Sequence, residues 1–504
     1  MTTTQTLPDK TQNNPYQQSG KFYFGATLGV FMVGAGLAIW QFIFNRDLWY
    51  DEALLANNFV NRTFWAMFLP LDEKQAAPIL FLLIEKGLFD LLPHKEYALR
   101  IMPLTLYMCS AVLFYKMLHL IFKDPKIILF GALLFSINYF LIYYSSEVKQ
   151  YMGDVFSILL MYYLVLKGEV KENQNVWVLG IIGSVMIFFS NVAPIILAST
   201  GLYLMLKAKK LEDLKPYLPM FLIWALVFVV YYLLFIKDHP LKAYMQDFWK
   251  VKYGFLPDFD NPQRLLMYFK LKFVMMFRLM LSMWTVEKYL MFFLFACGMG
   301  SLLYFKRYGW TILLLFPLVS HFFLSVFEVY PLELRLFLYY TPLLILVICF
   351  GLDEIIKLLR GKPAKFAYAF IGLVFLVSLS GIIRSFAGNF PVQSVNVRGL
   401  MTFVAEELKE GQVIFSYDKE APSMRYYSSM GYWEDLPLVF TDYEIMEGNK
   451  GLELIREVPG SLWLVFEHHT PELHYDWERT MNSNGITILR KQCFSDSCGY
   501  EVEI

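Results

Sequence analysis

The sequence predicts an all-α polytopic membrane bundle of about eleven transmembrane helices, followed by a small C-terminal α/β domain. Three observations predict it. The 504 residues are 57% hydrophobic and only 17% charged, with a mean hydropathy of +0.45. Apolar windows of about 17–25 residues recur, the length that crosses about 30 Å of hydrocarbon. From about Gly388 the apolar runs shorten to strand length and alternate with amphipathic stretches. Formal net charge is zero, so nothing points to nucleic-acid binding.

The polar tail Met1–Gly20 lacks the apolar core and small-residue cleavage site of a signal peptide, so Phe22–Phe44 reads as a retained first span. The spans that follow are Ala98–Phe122, Ile127–Tyr144, Met152–Leu166, Val176–Ser190, Val192–Leu206, Tyr217–Ile236, Lys288–Phe305, Tyr308–Phe327, Leu336–Ile356 and Phe366–Phe386. Ile79–Leu92 is left out because it is short and carries Glu85-Lys86 in its middle, which suits an interfacial or re-entrant segment. Lys and Arg then concentrate in alternate loops, at Lys123–Lys126, Lys167–Asn175, Lys207–Lys215, Lys306-Arg307 and Lys357–Lys365. These loops are read as cytoplasmic, and Asp51, Glu52, Glu147 and Arg335 then share the outer side. Within the outer loop Lys237–Glu287, the apolar stretch Tyr268–Trp284 carries Lys270, Lys272 and Arg278, as an interfacial helix would.

The chain divides into a tail (1–20), a membrane domain (21–387) and an outer domain (388–504). In the last, Val397–Lys409, Pro422–Met430, Tyr443–Glu457 and Pro471–Ser483 read as helices, and Gln412–Tyr417, Pro437–Thr441, Ser461–Glu467, Ile486–Gln492 and Tyr500–Ile504 as strands. Of the five cysteines, Cys109, Cys297 and Cys349 lie in spans as packing residues. Cys493 and Cys498 flank a turn that a disulfide closes if the compartment is oxidising.

Acids at the rim of a hydrocarbon layer are costly and tend to mark function. Asp51 and Glu52 stand side by side in Trp49-Tyr50-Asp51-Glu52-Ala53, so only one faces a reaction centre. A carboxylate there can take a proton from an attacking hydroxyl; the plain alternative is a polar pair that ends a helix. Glu147 and Lys149 lie in Ser146-Glu147-Val148-Lys149-Gln150-Tyr151 among clustered tyrosines, either a sugar or headgroup pocket or an ordinary interfacial belt. Arg335, after Tyr330-Pro331, and Arg100, at the start of the second span, can each grip a phosphate or anchor a headgroup. Asp258-Phe259-Asp260 sits in a Pro-rich loop and reads as a turn; Asn61-Arg62-Thr63 fits an N-glycosylation acceptor, a triplet that arises easily by chance.

Five motifs in order resemble the polytopic GT-C glycosyltransferases, the superfamily of protein O-mannosyltransferases and lipid A aminoarabinose transferases. They are Trp49–Ala53, Ala77-Pro78-Ile79-Leu80, Ala98-Leu99-Arg100-Ile101-Met102-Pro103, Ser146–Tyr151, and Tyr330-Pro331 with Arg335. The resemblance covers roughly Phe22–Phe386. It implies inverting transfer of a sugar from a polyprenyl phosphate to an envelope glycan, lipid or protein acceptor, at the outer face of a bacterial inner membrane. Asp51 would be the base, with Glu52 and Glu147 shaping the acceptor or metal environment. Arg335, Lys149 and Arg100 would hold the donor phosphate, and Tyr50, Tyr151 and Tyr330 would line the pocket. A divalent metal is left open, with no residue assigned as its ligand. The family's His-Pro-Pro reads Ala76-Ala77-Pro78 here, and the outer domain does not resemble a β-trefoil. The rival readings are a lipid-linked-sugar flippase, whose family features of broken helices and paired repeats the sequence does not display, and a transferase of whole glycans.

Overall fold

The computed structural model describes residues 15–171, 174–259, 261–279, 286–359, 363–388, 390–417, 421–441, 455–458, 460–467 and 478–503. The membrane part is helical: α1 (Pro15–Ile43), α2 (Tyr50–Asn61), α3 (Ile79–Leu91), α4 (Lys95–Ile121), α5 (Pro125–Ser136), α6 (Tyr139–Tyr144), α7 (Tyr151–Val170), α8 (Val176–Phe189), α9 (Ala193–Lys207), α10 (Leu218–Tyr231), α11 (Lys242–Val251), α12 (Pro262–Arg278), α13 (Val286–Tyr304), α14 (Tyr308–Val326), α15 (Thr341–Leu359) and α16 (Ala364–Phe386). Among the described residues, five stretches are long and apolar enough to cross a membrane, namely Lys21–Ile43, Lys95–Ile121, Leu211–Ile236, Tyr308–Val326 and Lys365–Phe386. Their apolar side chains face outward, with Phe22 68%, Leu226 65% and Leu376 68% exposed. Water does not tolerate such a belt and lipid does; the chain is a multi-pass membrane protein. Several other expected spans are shorter in the fold. The 14 residues of α8 and the 15 of α9 cover only about 21–23 Å of a layer about 30 Å thick.

One expected span is corrected. Ile127–Tyr144 is not one helix but α5 and α6, broken at Ile137-Asn138. The Asn138 side chain caps α6 by accepting the Leu141 N–H (3.1 Å) and donates to the Leu279 carbonyl (2.7 Å). A lone Asn in an apolar run thus ends one helix and starts the next. The excluded segment Ile79–Leu92 forms the 13-residue helix α3, with Lys86 donating to the Phe59 carbonyl (2.9 Å) and to Asp90 (2.6 Å). The helix expected over Tyr268–Trp284 is α12, ending at Arg278; residues 280–285 lie outside the described part.

Bare backbone sets the closest helix crossings. A Cβ on Gly298 would stand 2.0 Å from the Val347 carbonyl oxygen, and one on Gly351 1.9 Å from that of Leu294, so α13 and α15 touch main chain to main chain. Gly34 of α1 meets the Ser136 carbonyl of α5 in the same way, at 2.0 Å from a Cβ.

Past a turn at Gly388, α17 (Val397–Glu407) and α18 (Pro422–Ser429) pack with five strands: β1 (Ile414–Tyr417), β2 (Leu438–Thr441), β3 (Ser461–Phe466), β4 (Thr487–Phe494) and β5 (Ser497–Glu503). Their order is β2-β1-β3-β5-β4. β1 runs parallel to β2 and β3, with α18 on the β1–β2 crossover, while β5 is antiparallel to β3 and β4. The Cys493–Cys498 disulfide closes the β4–β5 turn. All but the last three residues of the helix expected at Tyr443–Glu457 and the first half of that at Pro471–Ser483 fall on residues outside the described part. Leu400, Val404 and Met424 pack with Trp463 in the sheet's core.

Candidate active site

Asp51 and Glu52 occupy the first turn of α2, and the advance of about 100° per helical residue sends their side chains apart. Glu52 turns inward and is fully buried. Its carboxylate accepts the Trp49 N–H (3.3 Å) and the Val148 N–H (2.9 Å), and pairs with Arg46 (2.8 Å) and Arg100 (3.9 Å). Arg46 lies over the Tyr143 ring, 4.7 Å from its centroid, and 3.8 Å from Glu147. The loop carrying Glu147 is thereby fastened to the start of α2. Burial, and next the charge of Glu52, push the Glu147 carboxyl well above the usual carboxylate range.

Asp51 faces the other way, into a cavity of about 1570 Å³. There it forms an ion pair with Arg335, which the chain supplies from the 3-10 turn Arg335–Tyr340 leading into α15. The guanidinium lies between two indole rings, 5.8 Å from Trp49 and 5.5 Å from Trp249 of α11, a setting that favours a delocalised cation. Lys149 reaches the same cavity, nearly buried, its Nζ donating to Gln75 Oε1 (2.6 Å). Burial lowers the affinity of this amine for its proton, and the Asp51 charge works against that shift. Tyr50, Tyr151 and Tyr330 complete the polar wall, while Ile195, Phe228, Leu234 and Leu336 supply an apolar flank.

The structure therefore brings Tyr50, Asp51, Lys149, Tyr151, Tyr330 and Arg335 to one cavity. It does not bring Glu52, Arg100 or Glu147 there. Arg100 was expected to hold phosphate, but its side chain is fully buried behind the wall and committed to Asn45 (2.7 Å) and Glu52. Glu52 and Glu147 belong to the same buried charge cluster. Among the described residues, no group of three or more His, Cys, Asp or Glu side chains is placed to hold a metal ion.

Sequence reasoning missed Arg46, Gln75 and Trp249. Arg46 stands just before the Trp49–Ala53 motif, and Gln75 just before Ala76-Ala77-Pro78, so both lay within reach of the motifs singled out. Trp249 carried no signal, because only the fold lays α11 over the cavity. A second hollow of about 460 Å³ lies between α12 and α14, lined almost wholly by apolar groups; its one cation, Lys272, pairs with Glu333 (3.2 Å).

No protein-family model and no curated protein sequence matches the chain. Its fold is similar to the crystal structure of ArnT from Cupriavidus metallidurans in the apo state, with a TM-score of 0.50 and 12% identity over 97% of this chain and 98% of that one. The structure of the same ArnT bound to undecaprenyl phosphate gives a TM-score of 0.48 and 11% identity, over 96% and 98% of the two chains.

Proposed function

We propose that this chain, which has the GT-C membrane glycosyltransferase fold, transfers a sugar from a polyprenyl-phosphate donor to an acceptor hydroxyl or amine at the outer face of the membrane. The observation that carries the reading is the meeting of Asp51 and Arg335, 284 positions apart in the chain, on the wall of one cavity. An acid and a cation side by side suit a reaction that removes a proton at one atom and releases a phosphate at another. The apolar flank supports a donor with a lipid tail.

In this reading Arg335 and Lys149 hold the donor phosphate, and Asp51 accepts the proton of the acceptor as its oxygen or nitrogen attacks the sugar's anomeric carbon. The new bond forms on the face opposite the phosphate, so the configuration inverts. The bond from carbon to phosphate oxygen breaks, and polyprenyl phosphate leaves with its charge stabilised by the two cations. Tyr50, Tyr151 and Tyr330 line the sugar's place. Arg46, Glu52, Arg100 and Glu147 brace this wall from behind. Residues 21–387 form the membrane domain and 388–504 an extracytoplasmic one. The lysine-rich loops support that orientation, in a bacterial inner membrane with envelope glycan, lipid or protein as acceptor.

The test is transfer from a labelled polyprenyl-phosphate sugar by the purified protein in lipid nanodiscs, with Asp51→Asn and Arg335→Ala alongside. Labelled product from wild type, lost in both variants, supports the reading. Movement of intact labelled lipid across vesicles without product selects a carrier, and transfer of oligosaccharides alone selects a whole-glycan transferase.

A further inference from the structure

We propose that the C-terminal domain takes part in catalysis by holding Asp51 in place, with Tyr427 and Ser423 of α18 as its positioning residues; the inference rests on the sugar-transfer reading. The segment that delivers Asp51 is Asn45–Trp49, an irregular stretch in the link between α1 and α2. Arg46 and the Trp49 N–H are tied to Glu52, but Asp47 and the main-chain groups of Leu48 find partners in the C-terminal domain. Leu48 is fully buried; its N–H donates to the Tyr427 hydroxyl (3.0 Å), and its carbonyl accepts from the Ser423 hydroxyl (2.7 Å). Both main-chain groups of Leu48 are thus committed to one helix of the other domain, one residue before Trp49 and three before Asp51.

The neighbouring contacts run the same way. Arg398 of α17 donates its backbone N–H to Asp47 (2.8 Å), and its guanidinium to Asp47 and to the Asn45 carbonyl. Asn57 of α2 donates to the Pro422 carbonyl (3.0 Å). Arg425 of α18 bonds Glu73 (2.7 Å), on the cavity segment that also supplies Gln75 to Lys149. The start of α18 is itself fixed, because Glu467 at the end of β3 accepts the N–H groups of Ser423 (3.1 Å) and Met424. The chain of contact runs from the sheet through α18 to Leu48, then through Trp49, which lies over Arg335, to Asp51. A reacting carboxylate has to be placed to within a fraction of an ångström; an irregular link between two helices cannot do this unaided, and α18 supplies the constraint.

The test compares Tyr427→Phe with Tyr426→Phe in the full chain. The first removes the acceptor of the Leu48 N–H and keeps the ring. The second removes a hydroxyl of the same helix that has no hydrogen-bond partner among the described residues. For Tyr427→Phe we expect faster hydrogen–deuterium exchange over residues 45–56, and kcat lower by about 10- to 100-fold with donor KM little changed, the signature of a misplaced group. Tyr426→Phe should match wild type in both. Unaltered exchange in Tyr427→Phe overturns the proposal, as does raised exchange with kcat intact, or an equal loss of kcat in the two variants. Should Tyr427→Phe fail to fold, Ser423→Ala breaks the other contact and makes the same comparison. If wild type transfers no sugar, the sugar-transfer reading falls on its own, while exchange over 45–56 still decides whether α18 holds the link.

Discussion

Replacing Asp51 with Asn should move two measurable quantities in opposite directions. The substitution is nearly isosteric and leaves the first turn of α2 intact, but it removes the charge that Arg335 pairs with in the ligand-free protein. The Asp51 and Arg335 side chains are 23% and 20% exposed, so their pair is neither solvent-screened nor dry. Exposed pairs are worth about 0.2–1 kcal/mol and hydrogen bonds to charged groups about 1.5–3, which places this one near 1 kcal/mol. With Arg335 holding the donor phosphate as proposed, that phosphate has to take it from Asp51, so Asp51→Asn should bind polyprenyl phosphate about fivefold more tightly. The same change deletes the proton acceptor, and turnover should fall by about 10²- to 10⁴-fold, or about 3–5 kcal/mol in the barrier. Calorimetry on nanodisc-embedded protein reads the first effect, and release of labelled product reads the second. Weaker polyprenyl-phosphate binding in Asp51→Asn refutes competition for Arg335. Turnover that stays near wild type refutes the assignment of the base.

Lys149→Met should raise donor KM by about tenfold or more through loss of a charge-assisted contact, while thermal unfolding stays at or above wild type because a desolvated cation has been removed. Glu467 sets a pH prediction for the C-terminal domain. Burial pushes its carboxyl up to about 8 from an ordinary 4.5, so between those values the folded state binds more protons than the unfolded one. Its contribution to stability is complete below about pH 4.5 and lost as pH rises through about 8, at up to about 1.4 kcal/mol per pH unit; Glu467→Gln should flatten that slope in melts taken across the window. Reducing Cys493–Cys498, a link between residues 5 apart in sequence, should cost about 2 kcal/mol by chain entropy, read as a lower melting temperature of the C-terminal domain with sugar transfer unchanged.

The polar ends of the bundle were more legible than its middle. Asp51 and Arg335 could be singled out because charge at an apolar rim has few explanations, and the lysine-rich loops assigned both to one side before any fold was known. What periodicity could not convey is where a continuous apolar run stops being a helix. Ile127–Tyr144 is uniformly hydrophobic but for Ser136 and Asn138, and the break depends on Asn138 finding the Leu279 carbonyl, far along the chain. The division of labour between adjacent acids was half visible: the helical turn separates Asp51 from Glu52, but which one faces the cavity is decided by Arg46, Arg100 and the Val148 N–H. The burial of Arg100 behind the wall had no local trace either, since a buried guanidinium and one reaching a phosphate look identical in sequence. The α/β character of the C-terminal domain followed from its alternating runs, whereas its grip on Asn45–Trp49 is a contact between residues hundreds of positions apart, with no local trace.

The contact between Gly298 and Gly351 ties remote heredity to surface chemistry. A methyl group at either position has to push α13 and α15 apart by roughly 1 Å to reach a tolerable distance from the facing carbonyl. The turn that carries Arg335 runs straight into α15 at Thr341, so a displaced helix carries the guanidinium with it. Under the sugar-transfer reading, random mutagenesis scored by loss of transfer should therefore recover alanine and serine at 298 and 351 beside the lesions at 51 and 335, although neither glycine lines the cavity.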